Sequence, residues 1–556
     1  MTRDRDASRS RVCSECRSGP VGRQGAHRFR LVPGTETRWG GLIMGEGPRL
    51  TRGQLQQRAA SGAAWTVLHT ALSLPAAFVV NIVLARVLGP AGFGRLAYLT
   101  AVMSIATLIV SAGISSGLIQ FGSKAHARGD RGRVQALLSR SQGFRVLWAA
   151  PLLTLIVVLL GEGRPALLVG AVVFGVWVPA AVGGATACLT IENRTAAGAK
   201  LAIVMNVVTQ AAVLLSLYSM GTPDGVWLTR LVVSGMAPLL AIPIIAPIYR
   251  RAVLRIRAPW RLPREFWRYA LPAGASGVVA GLALDRTEVI LLEQLSTAQQ
   301  VGMYALAFGL AGHAFAPAQS LLTPLVPAVS GLREVDGEAV GRAFLRVLRT
   351  SSTIIGAIIA VGAPVLAILV PVIYGAEYTA ASNLVFVLTA TAGLTVVTFP
   401  MISFVSSRLR GMSVLRLNLL ALGAMGALAL LTVPVLGAWG AVLAKASVGL
   451  VRFGWLLLTE KESFETPTRA SLRASSPMWL GMAAAVASYL GTTLVALGPG
   501  LQALIALPVS VLTFAIGLWV SRTGLTPADA GIVSSIGPKA VRRVTTPLAR
   551  CLAWAR

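Results

Sequence analysis

The chain has 556 residues, 55% of them apolar and 13% charged, with a mean hydropathy of +0.70. So much apolar surface cannot be hidden from water in a soluble core, which excludes a soluble fold. A net charge of +29 would point to nucleic acid in a soluble protein, but here the cations alternate with apolar stretches, so they report topology and anionic lipid rather than a nucleic-acid partner.

Residues 1–60 are rich in Arg, Gly and Ser and have no apolar period, so a disordered basic extension is expected, with Met44 as an alternative start. Cys13 and Cys16 form one CxxC with no second ligand pair, and Cys188 and Cys551 fall in a span and in the far tail. No metal site is expected. Apolar stretches of the roughly 20 residues needed to cross a bilayer then follow near 63–88, 96–119, 146–161, 165–190, 200–220 and 227–249. A second series lies near 268–294, 302–328, 351–374, 383–404, 412–434 and 439–458, and a last pair near 477–497 and 500–521.

The expected fold is therefore an all-α polytopic membrane protein of about fourteen transmembrane helices. Its parts are the extension over 1–60, a six-helix bundle over 61–250, a basic linker over 251–266, a second six-helix bundle over 267–460, a linker over 461–476, a helix pair over 477–521 and a basic tail over 522–556. Alternate loops carry groups such as Arg128, Arg131 and Arg133, or Arg250, Arg251, Arg255 and Arg257, whereas the opposite loops carry Arg95, Arg164 and Arg230. The positive-inside rule then places both termini in the cytoplasm.

Internal repetition is the most informative feature. Asn81 to Val102 lies over Glu288 to Leu310 with one insertion, matching Phe93 and Gly94 to Val301 and Gly302. Asp130, Val134 and Leu138 match Asp336, Val340 and Phe344 at an offset of 206. Two pseudo-repeat bundles can open alternately to either side by rocking around a site between them.

ARVLGPAGFGRLAYLTAV after the first span, LDRTEVILLEQL in the seventh, VGMYALAF in the eighth and VPVIYGAEYTAA after the ninth resemble the polysaccharide-exporter motifs of the multidrug/oligosaccharidyl-lipid/polysaccharide superfamily. Wzx-type oligosaccharide flippases belong there. The resemblance covers about residues 55–520, the membrane part of the chain, and departs from the usual pattern at Ser296 to Gln300, where a glycine is missing. It implies two bundles around a polar cavity, no ATP site, and carriage of undecaprenyl-diphosphate-linked oligosaccharide in a bacterial cytoplasmic membrane, with polysaccharide biosynthesis enzymes as candidate partners. No cofactor is implied beyond H⁺ or Na⁺ as a coupling ion.

A charge inside a span costs about 2.5–3.5 kcal/mol at a helix centre on insertion scales, so each one asks for a reason. Asp285, Arg286 and Glu288 lie in the seventh span with Glu293 at its edge; at 100° per residue, Asp285 and Glu288 share a face. Both acids are candidates for ion coupling. Arg286 is a candidate for diphosphate, with an internal pair to Asp285 or Glu293 as the alternative. Lys445 and Arg452 are seven apart on one helix, as stacked cations that hand on a diphosphate, and Lys445 has the alternative of snorkelling to the interface. Arg86 has the same alternative. Asn81, Asn206 and Gln210 are candidates for sugar hydroxyls, with helix–helix hydrogen bonding the alternative for each. His69 and His313 read as packing residues.

The rival reading on this architecture is a cation-coupled multidrug exporter, which would call for an acidic site in the first bundle, and Ala63 to Leu88 holds no acid. GDRGR at Gly129 to Arg133 superficially resembles a facilitator-family loop, but its neighbours do not fit. The one DxD string, Asp4 to Asp6, lies in the basic extension, and no nucleotide-binding glycine loop is present, so an enzyme is not expected.

Overall fold

The computed structural model describes residues 52–531 except 111–112, 161–164, 323–328, 330–331, 334–335, 337–338, 409, 495–497, 528 and 530. The extension with Cys13, Cys16 and Met44, the outer-loop residue Arg164, and the end of the tail with Cys551 lie outside the described residues. All contacts below fall within Glu46–Arg556.

Every regular element among the described residues is helical. Helix α1 (Arg52–Val110) is folded at Gly89, whose φ of 65° and ψ of 177° suit glycine alone, and Pro90 starts the second arm. Next come α2 (Ile114–Ala127) and α3 (Arg131–Phe144), which runs through a π-helical turn at Arg145–Ala149 into α4 (Ala150–Leu160). Helices α5 (Pro165–Gly170), α6 (Val178–Val182) and α7 (Gly184–Ile191) follow one line with a second π-helical turn at Ala171–Trp177. The first half closes with α8 (Thr195–Met220), α9 (Pro223–Ala241) and the short α10 (Pro247–Leu254).

The second half runs α11 (Arg264–Leu284), α12 (Thr287–Leu295), α13 (Ala298–Leu322), α14 (Ala339–Tyr374), α15 (Ala381–Ser407), α16 (Gly411–Leu436) and α17 (Ala438–Thr459). Helices α18 (Lys461–Phe464), α19 (Thr468–Thr493) and α20 (Pro499–Ser521) complete it. The expected linker over 461–476 is thus largely helical, because Pro467 serves as the N-cap of α19 well before the apolar run begins.

Ten helical stretches among the described residues are long and apolar enough to cross a membrane, the folded Ala64–Val110 being one of them. Large apolar side chains point outward all along these helices, with Leu159 73%, Leu431 72% and Val435 81% exposed. That pattern demands lipid on the outside, and the chain is a multi-pass membrane protein. Helices α9, α11 and α19 carry charges along their length, such as Asp224 and Arg230, Glu265 and Arg268, and Arg469 and Arg473, and stand outside the ten.

The repeat seen in the sequence is a repeat of local structure. Asp130 accepts a hydrogen bond from the Arg133 amide at 2.9 Å, capping α3, and Asp336 accepts one from the Ala339 amide at 3.0 Å, capping α14. The apolar partners of each cap, Val134 with Leu138 and Val340 with Phe344, are all buried. At the other end of the helices the two copies meet: a Cβ on Gly94 would stand 2.8 Å from the Gly302 amide nitrogen and collide with the Ala298 carbonyl, and one on Gly302 would collide with the Pro90 carbonyl. Backbones this close need glycine, the small-residue packing expected where lipid supplies no hydrophobic drive. Around this seam Ala85, Tyr98 and Val102 of the first half pack in one apolar cluster with Val289, Tyr304 and Tyr378 of the second.

Candidate functional site

The expected seventh span is not one helix. Helix α11 stops at Leu284, Asp285 is extended with ψ −164°, Arg286 has ψ 42°, and α12 restarts at Thr287. A break inside a membrane exposes the carbonyls at the end of the first piece, and each needs a partner. Gly281 O accepts from the Asp285 amide at 2.7 Å and Leu282 O from the Thr287 hydroxyl at 2.6 Å. The carbonyls of Ala283, Leu284 and Asp285 accept from Lys445 Nζ of α17 at 3.2, 2.9 and 2.6 Å.

Lys445 Nζ also lies 3.1 Å from Glu288 Oε1, in the first turn of α12, where the helix dipole favours an acid. Glu288 is fully buried, the Tyr304 hydroxyl sits beside it, and Phe308 lies under the ammonium at 5.0 Å. The single helical face expected for Asp285 and Glu288 therefore does not exist. The break sends them to different surroundings, Asp285 exposed and Glu288 buried.

A cavity of about 260 Å³ lies between the two halves. Its polar lining is Asn81 and Thr100 of α1, Gln210 of α8, Arg230 of α9, Arg286 at the break and His313 of α13. Among the described residues its lining contains two arginines and no carboxylate. The two guanidiniums are close enough to repel each other, and Arg286 packs over the Phe308 ring at 5.6 Å. His313 is turned by its own helix, Nδ1 donating to Gly309 O at 2.6 Å, and stacks at a tilt on Phe78. The halves touch on both sides of this space. The Gly94–Gly302 seam closes one side, and on the other a Cβ on Gly113 would collide with the Ala270 carbonyl of α11.

Of the residues expected to meet substrate, Asn81, Gln210 and Arg286 line the cavity and the rest do not. Arg86 Nε and Nη2 donate to Ile373 O and Val372 O at 2.7 and 2.6 Å, capping the end of α14 across the seam. Tyr378 reinforces that junction by donating to Ala85 O at 3.1 Å. Lys445 and Arg452 are not a stacked pair facing one space: Lys445 turns to the break, while Arg452 is buried over the Phe399 ring at 5.5 Å with Nε and Nη1 unpartnered. Asn206 is half-buried on α8 away from the cavity.

Arg230 is the residue that sequence reading misplaced, by treating it as a loop cation. Helix α9 begins at Pro223, with the Thr222 hydroxyl accepting from the Gly225 amide at 3.3 Å, so Arg230 lies about 10 Å inside the helix at 1.5 Å per residue. Thr-Pro-Asp-Gly is a helix-start signal that would have moved it inward. Arg95, another presumed loop cation, pairs with Asp224 of that first turn at 3.4 Å.

Comparisons with known proteins agree with this geometry. A structure of the lipid II flippase MurJ in an inward closed conformation matches with a TM-score of 0.60 at 13% identity, covering 82% of this chain and 98% of that one. An outward-facing multidrug resistance MATE family transporter of the MOP superfamily matches with a TM-score of 0.50 at 14% identity, covering 75% and 100%. These likenesses show a shared fold. No curated protein matches the sequence. The family model described as polysaccharide biosynthesis protein matches residues 59–332, so that the segment holding Gly94 and Gly302, the broken helix and nearly all of the cavity lining is similar to that family.

Proposed function

We propose that the chain is a flippase and not an enzyme, carrying undecaprenyl-diphosphate-linked oligosaccharide from the cytoplasmic to the outer face of a bacterial cytoplasmic membrane by alternating access. The observation that carries this reading is the cavity between the halves. Two arginines and two carboxamides with no acid suit a diphosphate joined to sugar hydroxyls, and guanidinium forks match phosphate oxygens. At about 260 Å³ the space falls below the roughly 300–1,000 Å³ of small-molecule sites, so the halves must part further to admit an oligosaccharide. The two glycine seams, one on each side, are the contacts that would open in turn.

The match of residues 59–332 to the polysaccharide biosynthesis protein model and the fold shared with a protein named as a lipid II flippase support the substrate class. A multidrug exporter of cationic compounds fits less well, because the lining is itself cationic. Splitting α1 at Gly89 and adding α9, the α11–α12 pair and α19 to the other apolar helices supports the frame of about fourteen spans with both termini in the cytoplasm. Of the two carboxylates expected to couple to H⁺ or Na⁺, Asp285, exposed in the break, is the one proposed for coupling, while Glu288 beside it faces Lys445. Enzymes that build the glycan are the proposed partners.

Depleting the protein from its host and analysing lipids tests this. Undecaprenyl-diphosphate saccharide should accumulate together with loss of a surface glycan. Unchanged lipids combined with new sensitivity to cationic drugs would overturn it in favour of the exporter.

A further inference from the structure

Lys445 behaves less like a hydrogen-bonding side chain than like an ion in a shell. Four oxygens from two helices surround its nitrogen: Ala283 O, Leu284 O and Asp285 O at 3.2, 2.9 and 2.6 Å, and Glu288 Oε1 at 3.1 Å. An ammonium on a carbon stem has only three hydrogens to donate, so the oxygens outnumber them. Both Glu288 oxygens lack a well-directed hydrogen bond although one is within 3.1 Å of the nitrogen. The contact is coulombic, as around a spherical cation. Three of the ligands are the free carbonyls of an interrupted helix, the negative end of its dipole, and the fourth is a fully buried carboxylate. Unwound carbonyls plus an acid make the shell by which membrane proteins strip and hold an alkali ion.

We propose that this break is a monovalent-cation site whose resident cation is the tethered ammonium of Lys445. The half-buried side chain enters from α17, with its ammonium over Phe308, and fills the place an alkali ion would take. The wild-type chain then needs no free cation here, Glu288 is committed to Lys445, and Asp285 is left as the carboxylate available for coupling. Removing the amine while leaving the shell should hand the site to an alkali ion. The proposal concerns the break alone and is independent of which substrate the cavity carries.

The test is thermal unfolding of the purified full-length protein in a D285N background, which removes the carboxylate left for coupling, in lipid nanodiscs, in NaCl, in KCl and in N-methyl-D-glucamine chloride at one ionic strength. The D285N parent, with Lys445 in place, should give the same Tm in all three. K445A should be the less stable protein in N-methyl-D-glucamine and should gain on the order of 1–3 °C in NaCl or KCl, as binding to the folded state alone requires. The double variant E288Q/K445M, with the charges gone and the space filled, should fold and be indifferent to the salt. A Tm of the D285N parent that rises with Na⁺ or K⁺ would overturn the proposal. So would a K445A protein that ignores both ions, or one recovered in none of the three salts while E288Q/K445M is recovered in all of them.

Discussion

Arg230 and Arg286 show how single residues gain meaning from where a helix starts or stops. Both approach the cavity from opposite halves, and neither is met there by an acid among the described residues. A hydrogen bond to a charged group contributes roughly 1.5–3 kcal/mol, so R230A or R286A should weaken binding of a diphosphate-linked saccharide by roughly 10–100-fold in a direct binding assay, and R230K should recover only part of it because lysine has no fork. Equal binding by wild type and R230A would remove Arg230 from the site. D285N should abolish or uncouple transport while membrane insertion stays intact, and normal transport by that variant would remove Asp285 from coupling. The charges themselves were legible in the sequence, because a charge inside an apolar run is conspicuous. Their grouping was not: a helical wheel assumes an unbroken helix, and the break at Asp285–Arg286 depends on Lys445, which lies about 160 residues away in the chain and supplies the partners that make an interruption tolerable.

Elements were more legible than sites, since repetition records them twice. The two Asp caps and the apolar pairs behind them lie at the same offset in sequence and do the same work in space. Gly94 and Gly302 were also visible as a matched pair, but that they press against each other follows only from the packing of α1 on α13. G94L or G302L should force these backbones apart, lowering the yield of folded protein in detergent extracts and abolishing transport, whereas a leucine at Gly277, where nothing stands within 4 Å, should be tolerated. Wild-type behaviour of G94L would show that the seam is not a required contact.

The start of the tail is held by a different device, hidden from sequence reading because its partners are remote. Buried Asp529 receives Arg346 at 3.1 Å and is clasped by Arg349, both on the basic end of α14. Burial opposes its charge, but hydrogen bonds from Thr526 and Arg349 and the Arg349 charge outweigh it, so its carboxyl titrates below the ordinary aspartate range. A lowered folded pKa contributes stability above the unfolded value of about 3.9 and loses it as the pH falls through the folded one. Limited proteolysis after Arg522 should therefore be slow at neutral pH and faster below about pH 4, and D529N should be cut fast at both; pH-independent protection in D529N would show that the clasp does not hold the tail.

For the whole molecule, composition alone dictated a membrane fold, and the order of motifs dictated two matched halves, because both depend on the chain's own periodicity. The cavity was harder to read. Its lining comes from five helices and the break, and a residue such as Arg86, which sits in the most recognisable motif, caps α14 outside that lining. The function rests on one claim, that a saccharide linked to lipid by a diphosphate crosses the membrane through this chain. The most direct measurement reconstitutes the purified protein in liposomes carrying a labelled undecaprenyl-diphosphate saccharide and follows how much of the label an externally added, membrane-impermeant glycosidase or lectin can reach over time. With wild-type protein the inner-leaflet pool should become accessible, and with R230A/R286A it should stay protected as in empty liposomes; protection that is the same with and without wild-type protein, under any imposed H⁺ or Na⁺ gradient, would contradict the flippase reading.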